Sequence, residues 1–178
     1  TFNVNLDWAI SVCEEIEKLK LKDLYFQCNL RSDKVNEKLA EKLKNINCWL
    51  VHIGIESVNN RVLKGINKMI TFEDTMRTLN ILKKYKIKVY GFFMLYNAWE
   101  ENGVLQYETT EEVCHTLSVV QQLLKDKLLT YISWSITNPI VGSQLHDIAA
   151  RHNIISEDKN LPLKLPVPEK EMRSCLKE

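Results

Sequence analysis

Little in this sequence is extreme, and each shortage excludes something. Five glycines and four prolines in 178 residues are too few for a collagen-like repeat, a propeller of tight turns or a disordered chain. Neither sign of charge dominates: 24 Lys and Arg stand against 23 Asp and Glu, a net charge of +1. That balance argues against nucleic acid or an acidic membrane as a partner held by electrostatics. The longest apolar run, Val89 to Tyr96, is eight residues, whereas a membrane helix needs roughly 20. Asn3, Asn5 and Asp7 interrupt any apolar stretch at the start, so no signal peptide is read there. The five cysteines (Cys13, Cys28, Cys48, Cys114 and Cys175) are odd in number and never closer than 15 positions. Such usage fits reduced thiols in a cytoplasmic protein, not a disulfide scaffold. The chain opens at Thr1 with no Met, and it is expected to be a fragment of a longer protein.

What is present is a regular alternation of two periodicities. Leu6, Ala9, Ile10, Cys13, Ile16 and Leu19 recur every three or four residues and predict a helix from about Leu6 to Leu21. Leu24 to Arg31 alternates in period two, a strand signature. Ser32 and Asp33 stand where an N-cap belongs, before the apolar stripe Val35, Leu39, Leu43, Ile46. A second strand runs Cys48 to Glu56, then a short helix around Arg61 to Gly65. Thr71 and Asp74 form a capping-box pattern ahead of Met76, Leu79 and Leu82. A strand at Lys88 to Leu95, a polar loop, a helix from Thr110 to Lys125, a strand at Leu128 to Thr137 and a helix from Ser143 to His152 complete the order. Pro162, Pro166 and Pro168 predict an irregular extension over 153–178.

Strands separated by single helices imply a parallel sheet with right-handed crossovers. A doubly wound sheet would give central strands that are apolar throughout. Here three strands are two-faced. Leu24, Phe26, Cys28 and Leu30 oppose Tyr25, Gln27, Asn29 and Arg31. Trp49, Val51, Ile53 and Ile55 oppose Leu50, His52, Gly54 and Glu56. Ile132, Trp134 and Ile136 oppose Tyr131, Ser133, Ser135 and Thr137. A helix-covered exterior with a polar inner face describes an open barrel that holds a ligand. The alternative is an antiparallel or edge sheet with one solvated face, which the intervening helices disfavour.

Ligands of parallel α/β folds bind at the carboxyl ends of the strands. The polar residues there are Asn29 and Arg31, Glu56 and Ser57, Tyr96 and Asn97, and Thr137 and Asn138. Arg31 and Glu56 have the chemistry to clamp a zwitterion; the plain alternative is that they pair with each other. Cys28 and Cys48 read as core packing, and Cys114-His115 on a helix diverge too far for a catalytic dyad. His146 and His152 lack zinc-helix spacing. The aromatics Tyr90, Phe92 and Met94 on one strand face read as packing or a cavity lining, and Trp99 as a lid or a packed corner.

Several stretches, in order, resemble the radical SAM superfamily, and within it the branch that often carries an N-terminal cobalamin-binding domain. His52 to Ser57 (HIGIES), with Asn59-Asn60-Arg61-Val62-Leu63-Lys64 and Lys68, resembles the fourth-strand region. Cys28 to Asp33 is similar to the third strand with its Arg-x-Asp, and Thr71 to Asp74 to the helix start after the fourth strand. Val89 to Met94 resembles the fifth strand. Pro139, Gly142, Ser143 and Leu145 resemble a turn after the sixth, and Thr1-Phe2-Asn3 falls just after the second. The resemblance implies an α/β fold: a partial (β/α)6 TIM-like barrel over residues 1–152, lacking its N-terminal strands.

Members of that family use a 4Fe-4S cluster to cleave S-adenosylmethionine reductively and begin radical chemistry. By resemblance, Glu56 binds the SAM ribose or amino group, Ser57 assists and Arg31 holds the carboxylate. Tyr25, His52, Tyr131 and Ser133 would line the substrate space. The complete protein is then expected to bind the cluster and to take electrons from a flavodoxin or ferredoxin. It would act on a small-molecule or peptide substrate, with cobalamin as a further cofactor in methyl transfer. The C-x-x-x-C-x-x-C loop that ligates the cluster and the acidic second-strand motif are absent from this chain. Val58, the Leu95-Tyr96-Asn97-Ala98-Trp99-Glu100 loop and Val141 also depart from the family pattern. The chain alone is therefore expected to be inactive. The alternative is a degenerate barrel that serves as a nucleoside-binding or interaction scaffold.

Overall fold

A computed structural model describes residues 1–157 together with Leu163 and Lys164; Pro162, Pro166, Pro168, Cys175 and most of the 153–178 extension lie outside the described residues. The elements run α1 (Leu6–Lys18), β1 (Phe26–Leu30), α2 (Glu37–Asn45), β2 (Cys48–Glu56), α3 (Asn60–Gly65), α4 (Phe72–Lys84) and β3 (Lys88–Leu95). There follow β4 (Ala98–Glu101), β5 (Val104–Tyr107), α5 (Thr110–Lys125), β6 (Tyr131–Ile136) and α6 (Gln144–Arg151). The fold is α/β: one sheet has the order β1-β2-β3-β6, with β1 parallel to β2 and helices in each crossover. The described residues divide into two compact units.

The first unit comprises Thr1–Ile55, Ile70–Phe93 and Val120–Ser133. Its helices begin where polar side chains replace missing amide partners. Asn5 accepts from the Trp8 amide, and Asn36 from the Leu39 amide at 2.9 Å. Thr71 and Asp74 close a reciprocal capping box on α4. Ser32 and Asp33 do not cap α2. They belong to a short 3-10 turn, Ser32–Lys34, and Ser32 is buried against Thr75 at 3.0 Å while its carbonyl accepts from Thr78. Leu39 and Leu43 of α2, Val51 and Ile53 of β2, and Leu79 and Leu82 of α4 are all buried.

The sheet alternates as two-faced strands must. Val51, Ile53 and Ile55 are buried while His52, Gly54 and Glu56 are not. Trp49 departs from the predicted face: it is 40% exposed, while Cys48 and Leu50 are buried. The cause is a register slip, since Phe26 pairs with Cys48 but Gln27 with Leu50. One extra residue reverses every side chain on its far side, and Lys88 caps the displaced Trp49 ring at 5.6 Å.

The second unit comprises Glu56–Met69, Met94–Val119 and the described residues from Trp134 onward. The predicted polar loop after β3 is an antiparallel hairpin, with Ala98 opposite Tyr107 and Glu101 opposite Val104. Its turn residues Asn102 and Gly103 both have positive φ, 52° and 77°, as a two-residue hairpin turn of this hand requires. Thr109 and Glu112 then exchange side-chain bonds with each other's amides and start α5. Ser143 accepts from the His146 amide to start α6. Ala98, Ala149, Ile154 and Leu163 pack as one apolar cluster with Leu105, Tyr107 and Leu145 around it.

Candidate functional site at the strand ends

In the first unit the wet face of the sheet gathers rings. His52 Nε2 lies 3.2 Å from the Gln27 amide oxygen. The His52 ring stacks on Phe92 at 5.9 Å and 21°, and Phe92 stacks on Tyr90 at 4.8 Å and 15°. Tyr131 meets Tyr90 at 6.0 Å. Gln27, His52, Tyr90, Phe92 and Tyr131 thus share one side, and Ser133, two residues beyond Tyr131, shares it by alternation. Tyr25 precedes β1 and is 72% exposed. Arg31 directs Nε and a terminal nitrogen onto the two oxygens of Asp33, both at 3.0 Å, and this pair holds its pKa above the ordinary arginine value. Asn3 pins the backbone at Arg31 by accepting from its amide at 2.7 Å and donating to its carbonyl at 2.9 Å.

In the second unit a pocket of about 350 Å³ opens where three strands end. Glu56 closes β2 and lines it with Met94, Asn97, Trp99, Glu100 and Thr137. Glu56 has φ of 68°, a left-handed backbone that ordinary residues avoid. Its carboxylate accepts from Lys68 Nζ at 2.8 Å. Trp99 is buried: Arg61 lies over its indole at 4.8 Å, and Gly65 faces it so closely that a Cβ there would overlap the ring. Trp99 is therefore a packed wall of the pocket. Glu100 is held by His152 at 2.7 Å and by Arg151, and both lower its pKa.

Behind that pocket lies a buried polar network. Ser57, Asn97, Glu108, Thr116 and Thr137 are all within 2% of full burial. Glu108 Oε1 accepts from Ser57 at 3.3 Å, and Oε2 accepts from the Asn97 amide at 3.1 Å and side chain at 2.8 Å. Thr137 donates to Asn97 Oδ1 at 2.9 Å. Burial pushes the Glu108 carboxyl above the usual range, against the Asn97 and Ser57 bonds that favour its charged form. Ser57, read as an aid to ligand binding, places its hydroxyl in this network. Glu108 escaped the sequence reading, because its partners lie 51 and 11 positions away.

The described cysteines do not gather as metal ligands. Cys13 and Cys48 are buried and Cys28 is half-buried, while Cys114 is exposed on α5. Burial and the neighbouring Cys48 push the Cys13 thiol up to about 11, and donation to Cys48 together with burial raises Cys28 further. Among the described residues no three His, Cys, Asp or Glu side chains converge as metal ligands. These thiols do not fit a three-thiolate cluster loop. Among the described residues no helix is long and apolar enough to cross a membrane.

Residues 2–105 match the family model of the radical SAM superfamily. The chain belongs to that superfamily. This radical SAM chain is 29% identical over 155 residues to an uncharacterized methyltransferase of Pyrococcus horikoshii, covering 87% of its own length and 31% of that protein. Its fold is similar to the radical SAM methyltransferase TsrM from Kitasatospora setae, a structure with cobalamin and a 4Fe-4S cluster bound. That likeness has a TM-score of 0.62 at 21% identity, over 76% of this chain and 24% of that one. Coproporphyrinogen III oxidase from Escherichia coli, itself a radical SAM enzyme, gives 0.63 at 14% identity over 94% and 35%. With these neighbours the α/β sheet is a partial (β/α) barrel. The chain spans less than a third of the Pyrococcus relative.

Proposed function

We propose that this chain is the S-adenosylmethionine-binding part of a radical SAM methyl-transferring enzyme. The pocket at the ends of β2, β3 and β6 would take the adenosyl moiety. Glu56 carries the reading. A carboxylate at a strand end, kept in a strained backbone and steadied by Lys68, is preorganised to accept bonds from ribose hydroxyls or an ammonium. A volume near 350 Å³ falls at the lower end of small-molecule pockets, roughly 300–1,000 Å³. Asn97 and Thr137 stand in its wall, and Trp99, Ile66 and Leu145 add apolar surface. When bound, S-adenosylmethionine supplies the adenosyl and methyl groups on which the family's chemistry draws.

The remainder of the reading concerns the complete protein. Residues outside this chain would hold the 4Fe-4S cluster, a flavodoxin or ferredoxin would reduce it, and cobalamin would carry the methyl group to a small-molecule or peptide substrate in the cytoplasm. A nucleoside-binding scaffold without catalysis shares the same pocket, and the placement of the described thiols favours it as the second reading.

Titration calorimetry with S-adenosylhomocysteine tests the pocket. Glu56→Ala is expected to weaken binding about 10- to 100-fold, the worth of a charged hydrogen bond. Equal affinity in the two proteins would overturn the assignment. With dithionite and S-adenosylmethionine the chain alone is expected to release no 5′-deoxyadenosine, and product above background would show that it carries its own cluster.

A further inference from the structure

We propose that Glu108 is a positioning residue for the strand-end pocket, holding Asn97 and, through it, Thr137 in place in the pocket wall. The inference rests on the pocket reading above and adds to it a residue that does not line the cavity. Glu108 follows β5, and its carboxylate ties the chain after β2 (Ser57) to the chain after β3 (Asn97). Asn97 then passes the constraint to Thr137, after β6, through its side-chain oxygen.

Every hydrogen-bonding atom of the Asn97 side chain is committed. Nδ2 donates to Glu108 and to the Met94 carbonyl at 2.9 Å, and Oδ1 accepts from Thr137. The orientation of that amide is thereby dictated from behind. If Oε2 of Glu108 stopped accepting, Asn97 would keep the Met94 carbonyl for Nδ2 but lose the partner of its backbone amide and one of the two partners of its side-chain nitrogen. The two wall residues would loosen together.

A carboxylate is one way to meet this need, and a neutral amide is another. In Glu108→Gln, the amide oxygen can take both Asn97 donors while the amide nitrogen donates to Ser57. Ser57 Oγ already accepts from the Asn59 amide at 3.2 Å and from Asn59 Nδ2 at 3.4 Å, so the new donor takes the place of the longer contact, and Asn59 Nδ2 keeps the Glu112 carbonyl at 2.9 Å and Thr116 at 3.0 Å. The charges around the site are paired among themselves: Glu112 with Arg61, Glu56 with Lys68 and Glu100 with Arg151. Glu108 therefore acts through hydrogen-bond direction rather than net charge.

The experiment compares the chain with Glu108→Gln, Glu108→Ala and Thr137→Val. S-adenosylhomocysteine affinity is read by calorimetry, and amide hydrogen exchange at Asn97 and Thr137 by NMR. Glu108→Ala is expected to weaken binding by about tenfold or more, since the wall residues it holds must then be ordered by the ligand. It should also speed exchange at Asn97 and Thr137 ahead of the rest of the chain. Glu108→Gln should stay within about twofold on both readouts, given that a rewired but satisfied network is near neutral. Glu108→Ala and Thr137→Val together should cost less than the sum of the two, because they break one linkage.

Should Glu108→Ala not fold, Thr137→Val still decides: unchanged exchange at Asn97 overturns the linkage. Uniform acceleration of exchange along the chain, or additive effects, would reduce Glu108 to ordinary core packing. If the unmodified chain binds no S-adenosylhomocysteine, the pocket reading fails, and the exchange arm alone judges the positioning of Asn97 and Thr137.

Discussion

The sheet of the first unit and the strand ends of the second dispose of hydrophilic groups in opposite ways. Along β1 and β2, polar and apolar side chains alternate, so Gln27 and Asn29 stay in contact with water while Cys28 and Leu30 turn inward. Each polar group there is satisfied one at a time. At the strand ends Ser57, Asn97, Glu108 and Thr137 are all buried, and the hydrogen bonds that join them make that burial tolerable. Substitutions in the sheet should therefore act singly and through packing. Those at the strand ends should act jointly and through orientation.

The largest effect expected from a single change is in the apolar layer. Leu39→Ala removes a fully buried side chain of α2 and should cost about 2–5 kcal/mol, read as a lower urea midpoint. The folded variant should keep its affinity for S-adenosylhomocysteine. Gly65→Ala should cost less in stability, about 1–3 kcal/mol for overpacking, yet abolish most of the binding. The new methyl group takes space held by the Trp99 indole, and Trp99 lines the pocket. If Leu39→Ala lost affinity in the folded state, or Gly65→Ala kept it, the contrast between the two regions would collapse.

That contrast also explains what could be read from the residues alone. Local rules give the helix and strand order, the two-faced strands and the Thr71–Asp74 box, since each is fixed within a few positions. The hairpin is legible too, although periodicity alone gives only a polar loop: Asn102-Gly103 between Trp99 and Leu105 is a strong two-residue turn signal. Thr109 and Glu112 are a capping box of the same kind as Thr71 and Asp74. Period-two alternation puts Trp49 on the wrong face because a bulge, which no periodicity announces, turns it outward. Glu108 was invisible for a deeper reason. A lone Glu ahead of a helix looks like any solvated residue until the chain brings Ser57, from 51 positions away, against it.

Glu56→Gly separates strain from function. Glycine accepts the left-handed backbone that Glu56 adopts at φ of 68°, relieving about 1 kcal/mol. It also gives the unfolded chain more freedom, an opposing effect of about 0.5–1 kcal/mol. The melting temperature should therefore change little while S-adenosylhomocysteine affinity falls as far as in Glu56→Ala. A large loss of stability would mean that the carboxylate and Lys68 hold the fold together rather than the pocket.

The smallest expected effect is the dependence of Glu108→Gln on pH. Burial raises the Glu108 carboxyl above its usual range, so the folded chain prefers the protonated acid more than the unfolded chain does. Stability drawn from that preference is fully present below the unfolded pKa, and it is lost as pH rises through the raised folded value. Glutamine has no charge to bury. The variant and the parent should therefore differ least in acid, with the variant gaining relative to the parent as the pH is raised towards neutrality. Urea midpoints of both proteins, taken from about pH 4 to about pH 8 to bracket the carboxylate range, measure the trend. A difference that shrinks with rising pH would show that the bonds from Asn97 and Ser57 outweigh desolvation, so that the buried carboxylate is preferred as an ion. The strand ends would then be held by charge, and their opposition to the sheet would rest on electrostatics instead of on the direction of hydrogen bonds.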